Sequence, residues 1–147
     1  MYFDINRPID YGLQKIRQAI IMHANGVRIE FAVDSNARFI SWQDVLTNIR
    51  GKAMEEFLVS RQLYIANEAS CRTTFWTSRG ASNIDLTILN KQAIGLISSW
   101  AIHDQETCSD YNITKYSLSK ANTTNQLTVN NKGGVRYRVE QRDIAKF

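Results

Sequence analysis

Cysteine is nearly absent: Cys71 and Cys108 are the only two in 147 residues, and no C-x-x-C spacing joins them. That pattern reads as two buried free thiols in a reducing compartment. Long apolar runs are missing as well. No stretch of 18 apolar residues exists, and the opening "MYFDINRPIDYG" has no basic region followed by an apolar one. A membrane-spanning helix and a secretory signal are both unsupported, so the chain is expected to be intracellular, in nucleus or cytoplasm, with no membrane partner. Asn112-Ile113-Thr114 and Asn122-Thr123-Thr124 match the glycosylation pattern, but without a signal they are read as chance. Internal repeats are absent too.

What is present is the composition of a folded domain, 44% hydrophobic and 22% charged, at a length that usually means one core. The net charge of +4 is unevenly spread. Residues 120–147 carry Lys120, Lys132, Arg136, Arg138, Arg142 and Lys146 against Glu140 and Asp143, while residues 1–119 balance at twelve against twelve. A basic tail can hold phosphates by counterion release. Solvated linker charge is the commoner explanation and the preferred one.

Ile9, Leu13, Ile16, Ile20 and Ile21 recur at helical spacing, Asp10 is a candidate cap and Asn25-Gly26 a stop, which predicts a helix over 10–24. "VRIEFAV" (27–33) has the pattern of a strand covered on both faces, delivering Asp34 at its end. "DSNARFISWQDVLTN" (34–48) reads as a long polar loop carrying Trp42. A second helix is predicted over 49–63, with Met54, Phe57 and Leu58 on one face. The β-like runs "LYIAN", "TTFWTS", "IDLTIL", "SSWAIHD" and "YNITKYSL" follow, with "SRGASN" (78–83) as hairpin chemistry between two of them. "ANTTNQLTVNNKGG" has linker composition. The fold class is α+β.

Three acidic residues sit at strand ends: Asp34 in "DSN", Asp85 in "SNIDLT" and Asp110 in "CSDY". Singly, each reads as a turn or a cap. Together they suggest carboxylates converging on one sheet edge, the arrangement by which a metal-dependent phosphodiesterase polarises a phosphate and aims a water at it.

The ordered series "VDSNARFISW", "NIRGKAMEEFL", "IANEAS", "TTFWTSRGASNIDLTI" and "SSWAIHDQETCSDYNI" resembles the endonuclease/exonuclease/phosphatase family, specifically the apurinic-type endonuclease domain of arthropod non-LTR, LINE-like retrotransposons. The resemblance spans residues 1–119. It implies part of a four-layer α/β/β/α sandwich, mainly one sheet with its covering helices, and metal-dependent hydrolysis of a DNA phosphodiester with Mg²⁺ or Mn²⁺. It also implies roles for individual residues. Asp34 would orient the attacking water, and Asn36 would donate to the phosphate. Thr74 would bind phosphate or the surrounding network, and Asp85 would orient the catalytic imidazole. Asp110, supported by Ser109, would lie near the metal and the scissile phosphate. Arg38 and Trp42 are candidate DNA contacts.

Two departures from the family pattern stand out. Tyr111 occupies the place of the family's histidine, and a phenol with a reference pKa of about 10 cannot supply an imidazolium's charge. Neither His23, in the first helix, nor His103, before the motif, replaces it. Second, residues 1–119 resemble the carboxy-terminal half of the domain only. The amino-terminal half, with its metal-binding glutamate, has no counterpart, and neither Glu30 nor Glu68 occupies a ligand position. Residues 120–147 resemble the connector toward a reverse transcriptase. An uncovered sheet face would favour self-association or completion by another polypeptide. The expectation is a catalytically impaired endonuclease fragment. An enzyme completed by a partner, a DNA-binding remnant and a decayed element copy without selected function all stay open, the last favoured over the binding remnant.

Overall fold

The computed structural model describes residues 1–23 and 26–119; the basic tail lies outside them. Helix α1 (Asp10–Met22) leads to strand β1 (Glu30–Asp34), a short 3-10 turn at Ile40–Trp42 and helix α2 (Ile49–Ser60). Strands β2 (Leu63–Ile65), β3 (Phe75–Thr77), β4 (Gly80–Ser82) and β5 (Asp85–Asn90) follow. A second 3-10 turn (Lys91–Leu96) precedes the pair β6 (Ile97–Ile102) and β7 (Thr114–Leu118). Three antiparallel units result: a sheet in the order β1-β5-β2 and the two pairs β3-β4 and β6-β7. The class is an α+β sandwich, and no helix among the described residues is long and apolar enough to cross a membrane.

The core forms where both helices pack on one face of the three-stranded sheet. Ile16 of α1 and Met54, Phe57 and Leu58 of α2 join Phe31, Val33, Leu86, Ile88 and Leu63 in one cluster. Alternation does the sorting: Phe31 and Val33 of β1 face the helices and oppose Ile88 and Leu86. The next residues along, Ala32 and Asp34, oppose Thr87 and Asp85 on the other face.

Strand β1 is not covered on both faces, because Ala32 is exposed. The β6-β7 pair covers the second face over β5, where the Trp100 indole donates to Thr87 Oγ1 at 3.0 Å. It reaches β1 only at Glu30, which accepts a hydrogen bond from Tyr116. The strand is also shorter than the β-rich run predicts. Asn90 replaces the ladder there, its side chain accepting from Ile29 N and donating to Val27 O. Helix α1 starts at Asp10 without a side-chain cap, Ile9 being the N-cap. Asp10 instead places a negative charge in the first turn, where the helix dipole favours it. Its end is at Met22, and the predicted residue 24 lies outside the described residues.

The 34–48 segment is a loop apart from the 3-10 turn, and it is anchored to the fold. Asn48 caps α2 through Gly51 N (2.7 Å) and accepts from Arg38 N (3.1 Å) with the same oxygen, pinning the segment to the helix. The approach is close enough that a Cβ on Gly51 would sit 1.8 Å from the Arg38 carbonyl oxygen. Glycine to alanine inside a helix ordinarily stabilises by about 1 kcal/mol. Here Gly51→Ala is expected to destabilise by about 1–3 kcal/mol, the range for forced overpacking, read as a lower urea midpoint. A raised midpoint would contradict this docking.

Candidate functional site

Asp34 ends β1 and Asp85 begins β5, and the antiparallel register sets them directly opposite each other. Asp34 Oδ1 and Asp85 Oδ2 are both buried without a hydrogen-bond partner. Burial, and then the Asp34 charge, push the Asp85 carboxyl up to about 6. The main chain of Asp85 is held from both sides. Its N–H donates to Thr74 Oγ1 at 3.1 Å, and its carbonyl accepts from Asn67 Nδ2 at 2.8 Å.

Thr74 is fully buried and belongs to this scaffold, with no surface to offer a phosphate. Its hydroxyl also accepts from Ile84 N, and its own N–H donates to Asn83 Oδ1. Asn36 follows the pair in the left-handed region (φ 48°) and donates through Nδ2 to Phe3 O at 3.0 Å. Val33 lies in the core of β1; the left-handed residue, Asn36, comes three residues later.

Tyr111 reaches this pair from the segment between β6 and β7. An isolated bridge joins it to Phe75, and the two rings meet edge to face with centroids 5.0 Å apart. Its hydroxyl donates to Asp34 Oδ2 at 3.0 Å. Burial and this bond push the phenol up to about 12, so it stays neutral across the working pH range. Ser109 accepts from Tyr111 N through its hydroxyl, shaping the turn.

Asp110 does not join the two other carboxylates. Adjacent residues of an extended segment face opposite ways. Tyr111 lies with Phe75, whereas Asp110 and Trp76 line an open cleft of about 710 Å³ together with Cys71, Arg72, Cys108 and Asn112. Both cysteines are therefore exposed on the walls of this cleft, on loops outside the core, and not buried as their rarity suggests.

The two residues expected as DNA contacts beside Asp34 are held within the fold. Trp42 is 1% exposed and packs against Phe39, with ring centroids 5.2 Å apart. Arg38 is committed to Asp44 (2.9 Å) and to Ala81 O (3.1 Å), tying this segment to the β3-β4 hairpin. His103 accepts from Gln105 N through Nδ1, and His23 caps α1. Sequence reading overlooked Asn67, Asp44 and Arg50. Asn67 lies inside the quoted "IANEAS" stretch, and Arg50 is a cation in the first turn of a helix, where the dipole disfavours it.

The expected Mg²⁺ or Mn²⁺ is a hard cation that takes anionic oxygens. Two buried, unpartnered carboxylate oxygens opposite each other fit that demand. Among the described residues no group of three His, Cys, Asp or Glu side chains could hold an ion. The pair would therefore leave most of the coordination shell to water and phosphate.

The raised Asp85 carboxyl has a consequence for stability. A folded state that holds this proton more tightly than the unfolded chain loses stability as pH rises from the ordinary 3.8 through about 6. Asp85→Asn removes the titration. Its melting temperature is expected to stay flatter than the parent's across that window and to exceed it at pH 7. Parallel melting curves in a pH series would contradict an ionised, partnerless Asp85.

Against known proteins, the chain matches the family described as endonuclease-reverse transcriptase over residues 1–115. No curated protein sequence matches it. Among solved structures it is similar to the endonuclease domain of TRAS1, a telomere-specific non-LTR retrotransposon. The TM-score is 0.73 at 27% identity, covering 82% of this chain and 56% of that one. With a family match over most of its length and the same fold in a retrotransposon endonuclease, this chain belongs to the endonuclease-reverse transcriptase family.

Proposed function

We propose that this chain is the catalytic-carboxylate portion of a DNA endonuclease of the retrotransposon type, acting with a divalent metal and impaired by Tyr111. The observation that carries the reading is the Asp34–Asp85 pair, two half-buried carboxylates each with one buried, unpartnered oxygen, Asp34 lying two residues before Asn36. Asp34 takes the proton from, and orients, the attacking water. Asn36 donates to a non-bridging phosphate oxygen. Asp34 and Asp85 would hold the metal, in place of the exposed Asp110. Bound there, Mg²⁺ or Mn²⁺ would supply Lewis-acid polarisation of the phosphate.

Tyr111 weakens this chemistry twice. Its neutral phenol brings no positive charge to the phosphate, and it occupies Asp34 Oδ2, the group that must accept the water's proton. The TRAS1 domain, of which this chain spans 56%, supplies the model for what completes the site. The remainder of such a domain would cover the Ala32 face of β1, with a reverse transcriptase region as the further partner.

The test is nicking of supercoiled plasmid with Mg²⁺ or EDTA. Removing a positioned acid/base group costs roughly 10²–10⁴-fold, so Tyr111→His is expected to raise Mg²⁺-dependent nicking by about that factor, and EDTA to abolish it. Equal rates for the parent and the histidine variant would end the claim of impairment. Silence from both in folded samples would end the claim of endonuclease function for this chain.

A further inference from the structure

Arg50 is the second residue of α2, and its guanidinium forms no ion pair among the described residues. It is spent instead on main-chain carbonyls from two other segments: Asn36 O through Nε (3.0 Å), Arg7 O through Nη1 (2.7 Å), and Ser35 O (3.1 Å) and Phe3 O (3.5 Å) through Nη2. Phe3 O is also the acceptor of the Asn36 carboxamide. Phe3 N in turn donates to Asp34 O at 2.8 Å.

One cation thus gathers the carbonyls on both sides of the left-handed turn that follows Asp34. It also touches the oxygen on which Asn36 is oriented. Asparagine is one of the few non-glycine residues that adopts the left-handed region, and these hydrogen bonds hold the main chain on both sides of it. The planar fork of arginine can serve several carbonyls at once, which a lysine ammonium on its single head cannot match in geometry.

We infer that Arg50 is a positioning residue: by clamping Phe3 O, Ser35 O and Asn36 O it holds the Asn36 carboxamide, and the turn leaving Asp34, in a fixed geometry. This deepens the endonuclease reading and rests on it for the claim that Asn36 meets a phosphate. The clamp itself stands on the hydrogen bonds. Among the described residues one hydrogen bond engages the carboxamide, through Nδ2, which leaves a second Nδ2 proton for an anionic oxygen. Arg50 does not touch that oxygen; it fixes the group that does.

The experiment reads the Asn36 side-chain amide by ¹H–¹⁵N NMR, its signals assigned by their loss in Asn36→Asp. In the parent, one Nδ2 proton is expected to exchange with water about fivefold more slowly than a free carboxamide, as a hydrogen bond of ordinary net strength gives. Arg50→Met is expected to remove that protection. The Trp100 indole N–H, bonded to Thr87 on another face, should be unchanged and serves as the fold control. Arg50→Lys should fall between. Asn36 protection that is absent in the parent, or unaltered in Arg50→Met, overturns the inference. If Arg50→Met loses the Trp100 signal, Arg50→Lys decides: reduced protection supports the clamp, and parental protection refutes it.

A parallel nicking assay in the Tyr111→His background separates the two claims. Arg50→Met is expected to lower kcat with KM little changed. If no chain nicks, the endonuclease reading fails while the NMR result still decides Arg50.

Discussion

The register between β1 and β5 is the constraint on which the site depends. Phe31 with Ile88 and Val33 with Leu86 bury one face against the helices. Side chains alternate with a period of two, so a slip of one residue would turn these apolar residues outward. Each such side chain is worth about 1.5–3 kcal/mol of burial, so the register is fixed by the core and not by the acids. Asp34 and Asp85 come along at the end of the same ladder. Their proximity costs energy, since two carboxylates share a partly desolvated place without a cation between them. The sheet can impose that cost because its apolar pairs outweigh it.

Polar groups then bring the other elements to the ladder's end. Asp44, whose side chain is fully buried, accepts from Arg38 Nε and from Asn83 N. Asn83 reaches Thr74, and Thr74 reaches the Asp85 main chain. From Thr74 the path continues to Asn112, whose N–H donates to Thr74 O and whose side chain donates to Thr73 O. Tyr111 is delivered to Asp34 by that chain of contacts. A buried ion pair contributes little net stability over an apolar replacement. Its value here is geometric, because Arg38 spans from the 34–48 segment to the β3-β4 hairpin and fixes the two together.

Much of this fold is legible in the sequence, because periodicity reports burial directly. Ile16 and Met54 announce their helices, and the "SRGASN" turn announces its hairpin, although Gly80–Ser82 is itself strand β4. Asp34 and Asp85 are legible as strand-end acids. What periodicity cannot report is where a polar side chain points. Arg38 and Trp42 stand in a polar stretch that reads as a loop, yet a buried carboxylate six residues along from Arg38, Asp44, draws the guanidinium in. Cys71 and Cys108 look like core residues by type and are not. Asp110 and Tyr111 are neighbours in sequence, and only the bridge to Phe75 reveals that they face apart.

The exchange of histidine for tyrosine changes the electrostatics of the whole cluster and not one group alone. With an imidazolium, two carboxylates would have a cation beside them and a phosphate would meet a balanced site. With a neutral phenol, no positive charge comes from position 111, and Asp34 feels instead the charge of Arg50, whose hydrogen bonds all go to main-chain carbonyls. Coulomb repulsion between like charges a few ångström apart amounts to roughly 4 kcal/mol at an effective dielectric of 20. On the proposed reading, a divalent cation bound there would lower the repulsion between these carboxylates and a DNA phosphate. Substrate approach would then depend on prior occupancy by the metal, whereas a histidine-bearing relative could meet the phosphate with its own charge. On that reading Tyr111 would shift the burden of charge neutralisation from the protein to the ion.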